Sequence, residues 1–425
     1  MKRRVAVVGA GWAGLAAAVA ATRAGRQVTL FEAARGLGGR ARTVPIDLPG
    51  GATALLDNGQ HILIGAYVET LALMETVGVD PAQALLRLPL VLQDPAGHGL
   101  RLPAWPAPWD AIAGIASARG WRWAERLSLL RASLAWKMAG FRCDPAWTVA
   151  RLTSGLAPRV REEMIAPLCV AALNTPADRA SASVFLRVMR DALFGRGHRG
   201  WGASNLLLPR QDLGRVFPEA AAAWLAQHGA TLRTGQRVQE LRAVDGRWAL
   251  DGEPFDQVIL ATPSTEAARL AEQAVPAAAG WISDARSLAF EAIATVYTVG
   301  GPRLPLPMVA LYSKPGAPAQ FVFDRGQLGG PPGLLAFVAS ASARDKTAIE
   351  AEVLQQAASL GWQVRALQTV VEKRATFACV PGLRRPPAGI APGLWACGDY
   401  IEGPYPATLE GAVRSGLAVA RSLQS

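Results

Sequence analysis

The sequence predicts an α/β protein in which two domains are interleaved along the chain. A valine-rich run over residues 4–8, an alanine-rich run over 13–24 and a strand-like run over 27–31 have the order of a βαβ unit. Apolar alternation over 231–262 and a strand–loop–helix pattern over 394–423 repeat this character. Because similar segments lie at both ends and in the middle, we expect one Rossmann-type sheet to collect them.

The remaining segments predict a second domain. Residues 81–194 are rich in tryptophan and mostly helical in pattern, whereas 292–299 and 334–340 have the composition of strands. We therefore expect a substrate-binding domain with a mixed sheet and a helical insertion. The predicted domains are 1–80, 203–264 and 381–425 for the first, and 81–202 and 265–380 for the second.

The composition excludes several classes of protein. Of the 425 residues, 51% are hydrophobic and only 18% are charged, which excludes a disordered chain. The net charge is +11, but only five of the 44 basic residues are lysines and the sequence has no block of like charges. Nucleic acid is therefore not an expected partner. Cys143, Cys169, Cys379 and Cys397 are too far apart to indicate a disulfide framework or a metal site.

The N-terminus resembles a signal peptide only superficially. A basic start is followed by apolar residues 5–21, but glycines at fixed spacing favour a folded strand, turn and helix. No other segment offers about 18 uncharged apolar residues in a row. We expect a cytoplasmic protein that attaches peripherally to the inner face of the cytoplasmic membrane.

A glycine motif follows the first predicted strand. Gly9 permits a tight turn, Gly11 lets the backbone approach a pyrophosphate, and Gly14 lets the helix lie against the strand. Glu32, 18 residues after Gly14, is placed to accept hydrogen bonds from ribose hydroxyls. The alternative is a glycine-containing turn in an unrelated α/β unit. The predicted dinucleotide site comprises Gly9, Gly11, Trp12, Ala13, Gly14 and Glu32.

A second glycine-rich loop, residues 36–42, lies shortly after Glu32. It resembles the second motif of glutathione-reductase-2-type flavoproteins, and the resemblance implies FAD as the cofactor. In that family the loop, here with Gly39 and Arg40, follows the pyrophosphate toward the flavin. A charge-assisted bond from Arg40 to phosphate is physically reasonable. The alternative is a loop with surface arginines.

Two distant segments extend the same resemblance. Val238 occupies the place where these flavoproteins use a valine backbone on the adenine side. Gly398 and Asp399 follow a strand and resemble the C-terminal motif whose acid contacts the pyrophosphate–ribityl region. Leu409 then begins a helix whose N-terminal N–H groups would stabilise negative charge on the flavin.

Further motifs narrow the resemblance. Thr408 stands where amine oxidases of this group commonly have an aromatic residue, and the middle of the chain is apolar. Four segments together are similar to the squalene-associated FAD-dependent desaturase family: 57–61, 167–175, 372–377 and 398–410. The resemblance implies reductive removal of the hydroxyl group of hydroxysqualene, which yields squalene for hopanoid synthesis, with reduced FAD as the hydride source.

The implied reaction needs a proton donor, because hydroxide is a poor leaving group. Protonation of the allylic hydroxyl would release water and leave a cation for hydride to quench, in a pocket that excludes water. His61 is the first candidate acid, with a structural role as the alternative. Asp57 either orients His61 or caps a turn. Tyr405 and Arg374 are weaker candidates, together with Asn174, and Arg374 would orient water or stabilise charge.

Two other functions stay open from the residues. A carotenoid or phytoene desaturase would use the same flavin scaffold in the oxidative direction. A non-catalytic prenyl-lipid-binding flavoprotein would serve a neighbouring enzyme of the squalene pathway. For dehydroxylation and for desaturation alike, the expected substrate is an isoprenoid.

One helical segment suggests a membrane contact. Leu127, Leu130, Leu134 and Met138 recur at spacings of three and four, so they share a helix face. Arginines and tryptophans surround them, as in helices that lie in an anionic lipid interface. The alternative is an ordinary helix that covers the substrate cavity.

Overall fold

A computed structural model describes residues 3–342 and 344–423. Its helices are α1 (Trp12–Arg23), α2 (Val68–Thr76), α3 (Pro81–Ala84), α4 (Trp109–Ala116), α5 (Trp123–Met138), α6 (Val149–Leu152), α7 (Pro158–Val160), α8 (Ala166–Leu173), α9 (Ala182–Phe194), α10 (Leu213–Val216), α11 (Pro218–Gln227), α12 (Ser264–Ala274), α13 (Ala279–Arg286), α14 (Lys346–Ser359) and α15 (Leu409–Ser422).

Strands occur along the chain from Arg4 to Ala396. They are β1 (Arg4–Val8), β2 (Gln27–Glu32), β3 (Thr43–Asp47), β4 (Thr53–Asp57), β5 (Leu63–Ile64), β6 (Leu85–Leu88), β7 (Val91–Gln93), β8 (Gly99–Arg101), β9 (Leu206–Pro209), β10 (Thr231–Thr234), β11 (Leu241–Val244), β12 (Arg247–Leu250), β13 (Glu253–Phe255), β14 (Gln257–Leu260), β15 (Phe290–Val299), β16 (Met308–Ala310), β17 (Phe321–Asp324), β18 (Leu335–Ser340), β19 (Arg365–Phe377), β20 (Gly389–Ala391) and β21 (Leu394–Ala396).

The first sheet collects strands from both ends and the middle of the chain. Its order is β10-β2-β1-β14-β21-β20, and all neighbours are parallel except β20 with β21. The buried valines and alanine of β1 lie at its centre, and α1 packs against it. A side chain at Gly416 would lie 2.2 Å from the Ala13 carbonyl oxygen, so α15 approaches α1 closely. The predicted α/β class is confirmed.

The second sheet is antiparallel, in the order β16-β17-β18-β15-β19. The long strands β15 and β19 pair with two register shifts, which bend this side of the sheet. Its inner face joins the apolar side chains of α5, α8 and α9 in one large core. This core lies beside the first sheet's domain and contains Tyr297 and Phe323.

Residues 81–194 are mostly helical, as expected, but the first part of this region also contains three short strands. Strands β6, β7 and β8 occupy much of the first part of this region, and β6 pairs with β9, more than a hundred residues later. Local patterns do not reveal a partner so distant in sequence. Within the alternating segment 231–262, the first strand ends at Thr234, because Gly235 has a φ of 71° and turns the chain.

Within residues 3–342 and 344–423, no helix combines the length and the apolar character needed to cross a bilayer.

Candidate flavin site

The parallel sheet brings the predicted cofactor residues to one edge. Because β1, β2, β14 and β21 run in the same direction, their carboxyl ends meet there. Gly9 comes shortly after β1, Thr262 after β14 and Gly398 after β21. Strand β2 ends on Glu32 itself. This crevice is where open α/β sheets bind dinucleotides.

The three glycines of the first loop differ in what they permit. Gly9 has a φ of 109°, and a side chain there would lie 2.5 Å from the Ala261 carbonyl oxygen. A side chain at Gly14 would lie 1.9 Å from the Gly9 carbonyl oxygen. At Gly11, by contrast, an added carbon meets nothing within 4 Å, so this side of the loop faces open space. Gly11 is therefore free to face a ligand, while Gly9 and Gly14 close the turn.

The start of α1 suits a phosphate group. Gly11 is its N-cap residue, and no side chain of the described residues caps this end. The first N–H groups of α1 are then available to an anion, which the helix dipole also favours. The side chain of Trp12 donates to the Ala41 carbonyl oxygen at 3.1 Å and is buried against Phe217. Trp12 and Ala13 can therefore contact a cofactor only through their backbone.

Glu32 is fixed beside this loop. Its Oε2 accepts from the Ala10 amide at 2.7 Å, and its Oε1 accepts from the Ala34 amide at 2.8 Å. Each carboxylate oxygen keeps a further lone pair for a ribose hydroxyl. The buried Thr262 hydroxyl has no hydrogen-bond partner among the described residues. These donors and acceptors fit the ribose and phosphate groups of a dinucleotide.

The second glycine loop lies directly on the first. The Gly38 amide donates to the Ala10 carbonyl oxygen at 2.9 Å, and a side chain at Gly39 would lie 3.3 Å from the Gly11 Cα. Arg40 follows, and one of its amino groups donates to the Ala375 carbonyl oxygen at 2.8 Å. Both loops thus present backbone to the same space.

Arg40 and Asp399 form an ion pair across 359 residues of sequence. Burial lowers the pKa of Arg40, but Asp399, Glu372 and Tyr400 together outweigh this effect, so the pKa is raised. Asp399 is buried and follows Gly398 at the end of β21. The two predicted cofactor residues are therefore brought together at the sheet edge.

The segment predicted to contact adenine and the last helix also lie at this edge. The Gln236 amide donates to the Glu32 carbonyl oxygen at 2.9 Å, which places the segment leading to buried Val238 beside the end of β2. Thr408 caps α15 by accepting from the Gly411 amide at 2.9 Å, so Leu409 is the first residue of that helix. Thr408 is therefore the N-cap residue of α15.

Asp57 lies at the end of β4 and is almost fully buried. Its Oδ1 accepts from the Leu213 amide at 2.7 Å, whereas its Oδ2 has no partner among the described residues. Burial raises the pKa of Asp57 to about 7, although Arg325 and the Leu213 amide lower it. Two roles were expected for Asp57, the capping of a turn and the orientation of His61. Its contact with the first residue of α10 is a capping contact, and no hydrogen bond joins Asp57 to His61 in the described structure.

His61 is oriented by its own loop. Its Nδ1 lies 2.9 Å from the Gly59 carbonyl oxygen, so Nδ1 carries the hydrogen and the neutral ring presents Nε2 as an acceptor. Burial lowers the pKa of His61 to about 4, and Arg40 lowers it further, although the Gly59 carbonyl raises it. The ring is neutral at pH 7. In this state Nε2 is an acceptor and carries no proton to donate.

Several polar side chains around this loop were missed by sequence reasoning. The guanidinium of Arg325 is buried and lies 3.4 Å from the Gln60 side-chain oxygen, and the Tyr297 hydroxyl donates to the Asp57 carbonyl oxygen at 2.9 Å. Thr295 lies beside Gly59. Each of four side chains has a buried polar atom without a partner in the described structure, and we name them the buried polar cluster: Asp57, Gln60, Thr295 and Arg325.

The sequence indicates only part of the buried polar cluster. The 57–61 segment was singled out by its motif, but Thr295 and Arg325 belong to strands and turns with no motif of their own. Their side chains reach the loop only because the second sheet packs against it.

The weaker candidates do not belong to the buried polar cluster. Arg374 is exposed, donates to the Thr265 hydroxyl at 3.3 Å and stacks on Phe290. Asn174 is buried, and its amide group connects to Thr376 at 2.9 Å, so it holds strands together. Tyr405 is half-buried near the first turn of α15, where burial and Asp191 raise its pKa to about 12.

The chain was compared with known proteins. A family described as flavin containing amine oxidoreductase matches residues 12–424. A hydroxysqualene dehydroxylase of Rhodopseudomonas palustris is 28% identical over 98% of this chain and 97% of its own length. One of Sinorhizobium fredii is 27% identical over the same shares. An oxidoreductase structure from Methanosarcina mazei superimposes with a TM-score of 0.73 at 17% identity, over 98% of this chain and 100% of that one.

These similarities agree with the geometry at the sheet edge. The resemblance indicated by the motifs is confirmed, and so is the FAD-binding α/β architecture. FAD is the cofactor, and the glycine loops, Glu32 and the Arg40–Asp399 pair have the donors and acceptors that it requires. The chain belongs to the family of flavin-containing amine oxidoreductases.

Proposed function

We propose that this protein catalyses the FAD-dependent reductive dehydroxylation of hydroxysqualene to squalene. The observation that carries the proposal is its similarity, over nearly the whole chain, to relatives that bear the name hydroxysqualene dehydroxylase.

The reaction replaces a C–O bond by a C–H bond. The substrate hydroxyl takes up one proton and leaves as water, and the carbon receives a hydride with its electron pair. When bound in its reduced form, FAD supplies that hydride. The residues of this chain must therefore supply the proton and keep water from the cation.

We assign the proton to Asp57 rather than to His61. With a pKa raised to about 7, Asp57 holds a proton near neutral pH, and its Oδ2 has no protein partner within the described residues. His61 is neutral and presents an acceptor at Nε2, which would orient the substrate hydroxyl or a water molecule. Tyr405 contributes packing near α15, and Arg374 has no proton-transfer role.

The test is an anaerobic single turnover. Photoreduced protein is mixed with hydroxysqualene, and squalene is scored by mass while flavin reoxidation is followed by absorbance. Squalene should form in step with reoxidation. Absence of squalene, with the flavin still reduced, would overturn the proposal.

The oxidative alternative is tested by the reverse design. Oxidised protein is mixed anaerobically with phytoene, and flavin reduction with new double bonds would favour a desaturase. No flavin redox change with either substrate would favour a non-catalytic lipid-binding protein.

We also propose the wider setting. The protein would supply squalene for hopanoid synthesis, next to other enzymes of that route, from the inner face of the cytoplasmic membrane. It would have an FAD-binding domain (1–80, 203–264 and 381–425) and a substrate-binding domain (81–202 and 265–380). The two main sheets support this division, although the small sheet β5-β9-β6 crosses the boundary after residue 80.

A further inference from the structure

Helices α4 and α5 expose a group of large apolar side chains. On α5, Trp123, Leu127, Leu134 and Met138 are 72%, 43%, 57% and 75% exposed. Their spacings of four, seven and four residues place them on one face of the helix. With the neighbouring exposed side chains of α4 and the segment before it, they form what we name the apolar outer face: Trp105, Trp109, Ile112, Trp123, Leu127, Leu134 and Met138.

The inner side of α5 already packs against the protein. Leu129 and Trp136 lie roughly opposite the exposed residues, and both are buried in the large core beside the second sheet. Leu130 is half-buried at the border. Helix α5 is thus apolar on both sides, and folding of the chain accounts only for the inner one. A contiguous exposed apolar surface of this kind marks an interaction site.

The charge around this face is strongly positive. Residues 101–142 contain seven arginines and lysines against two acids. Of the acids, Asp110 is buried and accepts from the Ala111 amide at 2.7 Å, and Glu125 accepts from the Arg122 amide at 2.6 Å at the start of α5. Both acids therefore serve local structure, and neither forms an ion pair with a basic side chain within the described residues.

Three of these basic residues, Arg126, Arg131 and Arg142, differ in what they contact. Arg126 donates to the carbonyl oxygens of Ala116 and Ala118 at the end of α4, so it ties the two helices together. Arg131 and Arg142 are exposed and form no ion pair with any residue that the structure describes. These two are available to an external anion at the edge of the apolar face.

We propose that the apolar outer face docks the protein on the surface of an anionic lipid bilayer. Tryptophan and leucine side chains enter the headgroup boundary, while Arg131 and Arg142 contact lipid phosphates. A second copy of the chain fits less well, because a two-fold interface would bring this positive surface against itself. The proposal deepens, and rests on, the proposed function, since its substrate is a long isoprenoid alcohol that dissolves in bilayers.

The test uses the FAD-loaded protein and vesicles of phosphatidylglycerol or phosphatidylcholine. Wild type should float with phosphatidylglycerol vesicles at low salt, and binding should weaken as salt is raised. Leu134→Ser with Met138→Ser should lower vesicle binding on the order of tenfold. The matched control is Val244→Ser with Leu360→Ser, two exposed apolar residues on other surfaces, which should leave binding unchanged.

The outcomes separate docking from catalysis. Equal binding by both double variants, or no binding of wild type to phosphatidylglycerol, would overturn the docking proposal. A wild-type dimer in light scattering that dissociates only in the Leu134→Ser/Met138→Ser variant would assign the face to a second copy and overturn it as well. Turnover of detergent-dispersed hydroxysqualene should be equal in all variants, and its absence in wild type would count against the proposed function alone.

Discussion

The glycine loops and the buried polar cluster lie near each other but work by different means. At the loops, Gly9 and Gly14 have no room for another carbon, and the groups facing the open side belong to the backbone. In the cluster, side chains from three parts of the chain bury polar atoms that no described residue satisfies. The first region offers shape and backbone dipoles to a ligand, whereas the second contains buried polar groups without partners, to which the proposed function assigns proton transfer.

The largest expected effect concerns the loops. Gly14→Ala places a carbon 1.9 Å from the Gly9 carbonyl oxygen, so it should lower the free energy of unfolding by about 3 kcal/mol and abolish FAD binding. Gly11→Ala meets no neighbour and should keep its stability within about 0.5 kcal/mol while weakening FAD binding. Urea unfolding and flavin absorbance measure both. Equal destabilisation by the two variants would contradict the distinction between packing and ligand glycines.

The next effect concerns the cluster. Asp57→Asn keeps an oxygen for the Leu213 amide but removes the titrating proton, so single-turnover dehydroxylation should slow by about 100-fold. The comparison variant, His61→Ala, should slow it less. FAD content should be normal in both. If His61→Ala is the slower variant, His61 and not Asp57 is the proton donor.

Stability should depend on pH through the same residue. The folded pKa of Asp57 is about 7 against 3.8 for an ordinary aspartate, so its stabilising contribution is complete below about pH 4 and is lost as pH rises through 7. Between about pH 5 and about pH 7 the loss should be about 2 kcal/mol. His61 has the opposite sign, because its pKa is lowered to about 4 and its contribution grows as pH rises from there to 6.5.

The measurement is urea unfolding at both pH values for wild type and Asp57→Asn. Subtracting the two pH differences cancels the contribution of His61. Identical pH dependence in the two proteins would show that Asp57 has an ordinary pKa when folded.

The smallest expected effect lies outside both regions. Arg374→Gln removes an exposed guanidinium that stacks on Phe290, so stability should change by about 0.5 kcal/mol or less and turnover by less than about twofold. Thermal unfolding and the single-turnover assay measure this. A loss of activity as large as that of Asp57→Asn would place Arg374 in the reaction after all.

Much of the cofactor site was accessible from sequence, because its requirements are local. The positions of Gly9 and Gly14 follow from the turn between a strand and a helix, and Glu32 follows from the length of one βαβ unit. Strand β6 was missed for the opposite reason, since its partner β9 is distant in sequence and its own pattern is short.

The proton-transfer residues could not be ranked from sequence. Asp57 and His61 stand four residues apart in one motif, yet burial raises the pKa of the first and lowers that of the second. Burial disfavours the charged form of each group, which is the anion of an aspartate and the cation of a histidine. The sign follows from chemistry, but the degree of burial depends on Tyr297 and Arg325, which pack in from distant parts of the chain.

The sequence by itself determined the fold class, the cofactor loops and the family, because these depend on steric requirements of adjacent residues. Only the tertiary structure decided that burial raises the pKa of Asp57, that Arg40 pairs with Asp399, and which side of α5 faces outward. These properties depend on burial and on charges brought together from distant positions. The spacing of residues along the chain reflects local steric requirements, but it does not show which distant residues will bury or charge a site.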